Sequence, residues 1–395
     1  MNKICLALIT CIISNLVNGQ QSYFQQKVNT KINVELDDEN HILRGNEEIV
    51  YKNNSNQKLD SIIIHLWPNA YRNSKSELAK QKFSDGSNSF KYADEKDLGF
   101  IDSLDFEVNG EKVNWRFYEN KLDIAIIYLK SSLAIKDSIT LSTPFKVKIP
   151  SGEFSRLGHI GQSYQITQWF PKPAVFDKNG WHPMSYLDQG EFYSEFGDYD
   201  VSITVPKNYV LMATGDLQNK EELDFLNQKA EITSKLIQKN KLPIRDSLGR
   251  KDMSFPKSSK EKKTIRFTQK NVHDFAWFAD KRYHVLKGEV ELENKNITSW
   301  ALFTNSEAKL WKRSIEYIND ATKYFSKWVG EYPYNYVTAV DGTISAGGGM
   351  EYPNITVIGR SGNSKSLETV IIHEVGHNWY YGILGSNERD NAWID

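Results

Sequence analysis

From about Tyr23 to Tyr283 the apolar positions recur with the two-residue period of strands. Ile32, Val34 and Leu36 alternate with Lys31, Asn33 and Glu35, which predicts a strand with one buried face. Asp37-Asp38-Glu39-Asn40 is turn chemistry, and the stretch from Ile42 to Tyr51 reads as the returning strand. Further apolar runs follow at 62–67, 124–129, 201–205, 210–213 and 265–267. Many short strands separated by polar turns predict a large antiparallel β region. Two polar stretches, 73–96 and 238–263, carry no apolar periodicity and read as long surface loops.

After about Leu286 the period lengthens. Leu310, Ser314, Tyr317, Ile318, Ala321, Phe325 and Trp328 recur at helical spacing behind Ser306, a plausible N-cap, and Gly330 and Pro333 end the run. Its aromatic stripe reads as core packing. A second helix is predicted from Leu367 to Tyr381, capped by Ser366, stopped by Gly382, and buried along Val370 and Ile371. The fold class is therefore α+β, with more than one domain: a chain of 395 residues is long enough for two or three.

The N-terminus breaks both patterns. Lys3 precedes a mostly apolar run from Ile4 to Val17, and Val17-Asn18-Gly19 resembles a cleavage site before Gln20. Residues 1–19 are thus expected to be a signal peptide. The run is short for a membrane span, so no stable membrane insertion is expected after cleavage, the alternative being an uncleaved N-terminal anchor. Both cysteines, Cys5 and Cys11, lie inside it. A mature chain without cysteine excludes disulfides, thiol catalysis and cysteine metal ligation. Export without disulfides suggests a periplasmic, cell-envelope or secreted protein. The net charge of −1 gives no footprint for nucleic acid.

The chemistry lies near the C-terminus, in His373-Glu374-Val375-Gly376-His377. This H-E-x-x-H pattern puts two imidazoles on one helix face, a turn apart, where they can grip one Zn2+ ion. Glu374 points about 100° around the helix, close enough to act as general base on a water at the ion. A tetrahedral catalytic site needs a third protein ligand. Glu388, Asp390 and Asp395 follow, none of them well placed, with Glu388 in an expected interhelical loop. The other six histidines, His41, His65, His159, His182, His273 and His284, show no ligand spacing and read as packing or surface residues.

Together, the H-E-x-x-H run, the following Asn378-Trp379 and the later Trp393-Ile394-Asp395 resemble the aminopeptidase N and leukotriene hydrolase family, peptidase family M1. The resemblance implies a saddle-like antiparallel β domain over residues 20–286. It also implies the first part of a thermolysin-like, mainly helical catalytic domain over 287–395. It places the third zinc ligand, a Glu, at position 396, so the sequence reads as C-terminally truncated. Gly348-Gly349-Met350-Glu351-Tyr352 resembles the family's G-x-M-E-N motif, with Tyr352 where the family has Asn. By that likeness Glu351 binds the substrate's free α-amino group; Gly347, Gly348 and Gly349 would let a peptide backbone approach, and Gly348, Gly349 and Met350 are candidate substrate-binding residues beside Glu351. The stretch from Gln162 to Phe170-Pro171 resembles the segment that supplies a Gln to the same amine, with Gln162, Gln165 and Gln168 as open candidates. Segments 195–200 and 271–277 resemble the family's β domain without implying chemistry.

The function this implies is a zinc-dependent aminopeptidase acting on peptides. Alternatives are a zinc endopeptidase or other zinc hydrolase on the same fold, or a non-catalytic scaffold or binding protein.

Overall fold

A computed structural model describes residues 23–342 and 348–394. The expected signal segment with its two cysteines, Gly347 and Asp395 lie outside the described residues.

The alternating pattern at the start folds as a hairpin. Strands Lys27–Asp37 and Ile42–Lys52 pair antiparallel from Asp37↔Ile42 to Lys27↔Lys52. Val28, Ile32, Val34 and Leu36 face the core. At the turn, Asp37 Oδ1 accepts from Asn40 N at 3.0 Å. Asp fits here because its short side chain can bond the backbone just ahead of it. This hairpin sits within a nine-stranded sheet that also takes in Ser138–Lys148, Gly197–Pro206 and Lys262–Val272.

That sheet is not wholly antiparallel, contrary to expectation. The first strand runs parallel to Gly197–Pro206, with Thr30 opposite Tyr199. A parallel pair needs a long crossover, and here the intervening chain builds other sheets before returning. Two four-stranded sheets and a two-stranded one share the same continuous core. Trp169 and Trp277 are fully buried in it, edge to face at 6.2 Å.

The helices depart further from the sequence reading. Lys220–Gln238 is a 19-residue helix inside the region read as strands. Leu226, Ala230 and Thr233 bury one stripe, with Leu223 and Leu236 alongside. Alternation elsewhere masked this 3–4 spacing. The loop expected over 73–96 contains the helix Glu77–Ser84, whose N-cap Ser76 accepts from Ala79 N at 3.1 Å. The helix expected after Ser306 is two pieces, Ala308–Trp311 and Ser314–Trp328. Ser314 Oγ donates to Trp311 O at 2.7 Å across the break. Trp328 is 71% exposed, so it leaves the core stripe that Tyr317, Ile318 and Ala321 form.

The C-terminal part is organised on a five-stranded mixed sheet. Its strands run in the order His284–Glu291, Asn296–Phe303, Tyr336–Asp341, Ile355–Ile358 and Gly349–Met350. The last is an edge strand, antiparallel to its neighbour with Gly349↔Ile358 and Met350↔Val357. Helix Ser314–Trp328 packs against the helix Ser364–Gly376, which carries the histidines. A Cβ on Gly376 would stand 2.9 Å from the Phe325 ring. Trp379 stacks on the same ring, with centroids 5.3 Å apart. Among the described residues, no helix is long and apolar enough to cross a membrane.

Candidate zinc site

The histidine helix starts three residues earlier than expected and ends sooner. Asn363, not Ser366, is the N-cap, and its side chain accepts from Ser366 N at 2.9 Å. Asn is among the strongest capping residues, so it claims the start. The helix stops at Gly376 rather than Tyr381, leaving His377 as C-cap. Beyond it the backbone tightens: Asn378 N bonds to Val375 O at 3.2 Å and Trp379 N to Gly376 O at 3.0 Å. The motif therefore occupies the helix end, not its middle. His377 keeps helical angles, φ −60 and ψ −17, so the one-turn spacing of the pair survives.

That spacing brings the two imidazoles together. Their Nε2 atoms are 3.1 Å apart, and the rings meet edge to face at 86°. Two ligands about 2.0–2.1 Å from one tetrahedral ion would lie about 3.3 Å apart, so the pair has the bite zinc requires. His373 is exposed and His377 half-buried.

Glu374 faces inward and is buried. Its carboxylate lies against the backbone of Gly349, where a Cβ would come within 2.4 Å of Glu374 Oε1. Only glycine lets the edge strand approach that closely. Two residues on is Glu351. Carboxylate oxygens of Glu351 and Glu374 and a ring nitrogen of His377 lie within 4.8 Å of one another. Among the described residues this is the one such group of three or more acidic, His or Cys donors. The donor set, imidazole and carboxylate, is what zinc accepts.

The rest of the glycine motif is placed by the same edge strand. Gly348 is exposed, and its carbonyl accepts from Gly359 N at 3.0 Å. Met350 is buried, and its carbonyl accepts from Thr356 Oγ1 at 3.0 Å. Met350 and Tyr352 point into the core while Glu351, between them, is half-buried, the alternation of a strand.

Of the three candidate glutamines, the structure brings one to this strand. Tyr352 Oη donates to Gln168 Oε1 at 3.2 Å. Gln165 Nε2 instead donates to Arg156 O at 2.7 Å, and Gln162 Nε2 to Asp38 O at 3.2 Å. Gln168 Nε2 reaches Asp274 Oδ2 at 3.4 Å, and Asp274 pairs with Lys172 at 3.0 Å. Burial lowers the Lys172 pKa, and the Asp274 charge opposes that shift. Segment 271–277, read only as a fold signal, thus supplies a residue one hydrogen bond from Gln168.

Glu388 is not in a loop. It opens the short helix Glu388–Asn391 and is buried. The next residue, Arg389, donates to Glu191 O at 3.0 Å and Ser185 O at 3.1 Å, which ties this helix to the β region. Asp390 is exposed and bonds to Asn387. Burial drives the Tyr381 pKa well up, with Glu388, Asp274, Glu351 and Glu191 adding to it.

Two asparagines whose linking role was not read from the sequence join the site to the β region. Asn378 Oδ1 accepts from Asn354 N at 2.9 Å, while its Nδ2 donates to Val375 O at 3.0 Å. Asn354 Oδ1 accepts from Gly215 N at 2.9 Å and Nδ2 donates to Gln269 Oε1 at 2.9 Å. Asn354 is left-handed, φ 52, which Asn tolerates better than most. Its position after Pro353 is a turn signal that could have marked it.

No protein-family model matches the sequence, and no curated protein matches it. The fold, however, is that of a known class, the M1 zinc metallopeptidases. The chain is similar to the M1 zinc metallopeptidase from Deinococcus radiodurans, with a TM-score of 0.53 and 14% identity over 92% of this chain. A mutant of that enzyme matches at a TM-score of 0.54 and 14% identity, again over 92% of this chain. A two-domain M1 mutant bound to L-arginine gives 0.53, with 14% identity and the same 92% coverage. The chain spans about 65% of the length of each of these structures.

Proposed function

We propose that this protein is a zinc-dependent aminopeptidase that releases N-terminal residues from peptides. The observation that carries the reading is the convergence of the His373 and His377 nitrogens, 3.1 Å apart, beside Glu374 and Glu351. His373 and His377 would hold one Zn2+ ion. Bound zinc polarises a carbonyl and acidifies water to about neutral pH. Glu374 takes the proton of the attacking water and returns it to the leaving amine. Glu351 receives the substrate's α-ammonium in a charge-assisted hydrogen bond. Gly348, Gly349 and Met350 present a sheet edge to which a peptide backbone can add.

The remaining parts of the reading follow from the N-terminal sequence and from the family resemblance. They are a signal segment at 1–19, a saddle-like β domain over 20–286, a thermolysin-like domain from 287, and an exported location. One of the similar mutants is bound to a Tyr-Ser-Ala substrate, which supports the peptide part of the reading.

The test compares a peptide with a free N-terminus and its acetylated form. Cleavage of the free form alone, abolished by a chelator and restored by zinc, is expected. Equal rates on both would remove Glu351 as an amine anchor and favour an endopeptidase.

A further inference from the structure

The polar stretch 238–263, expected as a long surface loop, carries a tight turn with an apolar tip. Arg245 and Lys251 face each other across an antiparallel bridge, and Asp246 N donates to Arg250 O at 2.8 Å. Asp246 Oδ1 accepts from Leu248 N and Arg250 N, both at 2.9 Å. Asn305 fixes the base of the turn. Its Oδ1 accepts from Ile244 N at 3.0 Å, and its Nδ2 donates to Asp252 O at 2.8 Å. A turn held by these bonds has no need of a large apolar residue at its tip, yet Leu248 stands there 73% exposed. Ile244, and Ile232 on the helix Lys220–Gln238, are exposed as well and line one hollow.

Beside the turn lies an open groove of about 700 Å3. Leu236, Leu242 and Pro243 supply its apolar lining, and Lys241, Arg245, Lys309 and Lys312 supply positive charge. Among the described residues, none of these four cations pairs with a carboxylate. Arg245 bonds to Gly249 O at 2.6 Å, and Lys312 reaches Asn240 Oδ1 at 3.5 Å. Two of the neighbouring acids are already taken: Asp246 pairs with Arg250 at 2.9 Å, and Glu316 with Arg313 at 2.7 Å. The whole chain has a net charge of −1, so this concentration of cations is local.

We propose that the groove and the Leu248 turn dock the protein on an anionic lipid surface. Phosphate headgroups sit among Lys241, Arg245, Lys309 and Lys312, and Leu248 enters the layer beneath them. The cations fix the sign of the partner, and the tip fixes its kind. A small dissolved anion or an acidic peptide matches the charge but has no use for Leu248. At a membrane interface, apolar side chains and a basic cluster act together. Each basic side chain near an anionic surface strengthens binding about fivefold, so four give a reversible hold with no segment crossing the bilayer. This surface shares no residue with the candidate zinc site and does not depend on how that site is read.

The test sediments the full chain with vesicles of mixed phosphatidylglycerol and phosphatidylcholine, and with vesicles of phosphatidylcholine alone. The parent should bind the anionic vesicles roughly tenfold or more tightly, and less so as salt is raised. Lys309→Glu with Lys312→Glu should remove most of that preference. Leu248→Ser should weaken binding to the anionic vesicles about three- to tenfold and keep the salt dependence. The apolar run at the N-terminus is common to every variant and cancels in the comparison. Lys241→Glu with Arg245→Glu is a second charge variant, which decides the matter if melting shows the first to be unfolded. Equal binding to both kinds of vesicle, or a preference that the folded charge variants keep, would overturn the docking surface. So would a Leu248→Ser variant that binds like the parent. Displacement from the vesicles by inorganic phosphate at constant ionic strength would reduce the groove to a plain anion site, and displacement by deca-glutamate would assign it to acidic peptides instead.

Discussion

The nine-stranded sheet and the candidate zinc site hold their residues in opposite ways. In the sheet, a position is fixed many times over: the first hairpin alone pairs eleven residues with eleven. At the site, residues far apart in the chain meet through individual side-chain contacts. Gly349 makes room for Glu374, Asn378 ties the helix end to Asn354, and Tyr352 reaches Gln168. A ladder spreads the cost of an error, whereas a single contact concentrates it. Stability and activity should therefore separate by region.

The sharpest separation is at Glu374. Glu374→Gln keeps the size of the side chain and both candidate zinc ligands, His373 and His377. Peptide turnover should fall about 10²–10⁴-fold with zinc content and melting temperature nearly unchanged. Metal analysis beside kinetics checks this, and retained zinc with unchanged turnover would remove Glu374 as the base.

The next contrast pairs one substitution from each region. Gly349→Ala would put a methyl group into the Glu374 carboxylate. A displacement of that order should cost about 10²-fold in kcat/KM with little loss of stability on an edge strand. Ile203→Ala, in a fully buried sheet position, should do the reverse. It should cost about 2–5 kcal/mol in a denaturant melt while the folded fraction keeps its specific activity. If both variants lost stability and activity together, the regional contrast would be gone.

The smallest effect on turnover is expected from pH acting on the β region alone. Burial raises the Glu195 pKa from 4.5 to about 8, against the pull of the Phe176 and Gln26 amides. The folded state therefore holds a proton that the unfolded chain releases above about pH 4.5. Stability should fall as pH rises from there to about 8 and then level off. Glu195→Gln should flatten that slope, as read from denaturant melts at pH 5 and pH 8. A parent slope that persists in the variant would assign it to other groups.

How much of this was legible in the sequence also differs by region. The hairpin turn and the strand cores announced themselves, because alternation and Asp-Asn turn chemistry are local. So did the two histidines and Glu374, whose spacing is set by one helix. The helix Lys220–Gln238 stayed hidden within a region of strands because its buried stripe includes Ala230 and Thr233, which are weak signals. That Gln168, rather than Gln162 or Gln165, meets Tyr352 was beyond sequence, since it depends on a contact between residues 184 apart. The helix end at Gly376 was missed because Asn378, whose side chain takes the Val375 carbonyl, looks like any polar helix residue.

The parallel pairing of Thr30 with Tyr199 has a consequence for the order of events during synthesis. The first hairpin leaves the ribosome early, but the strand that covers one of its edges emerges some 160 residues later. Until then that edge presents unpaired amides and carbonyls to any other extended chain. Contacts this distant in sequence also slow folding. The growing chain thus passes through a long interval in which its best-formed element is also its stickiest, and shielding that edge should raise the yield of folded protein more than strengthening the hairpin itself.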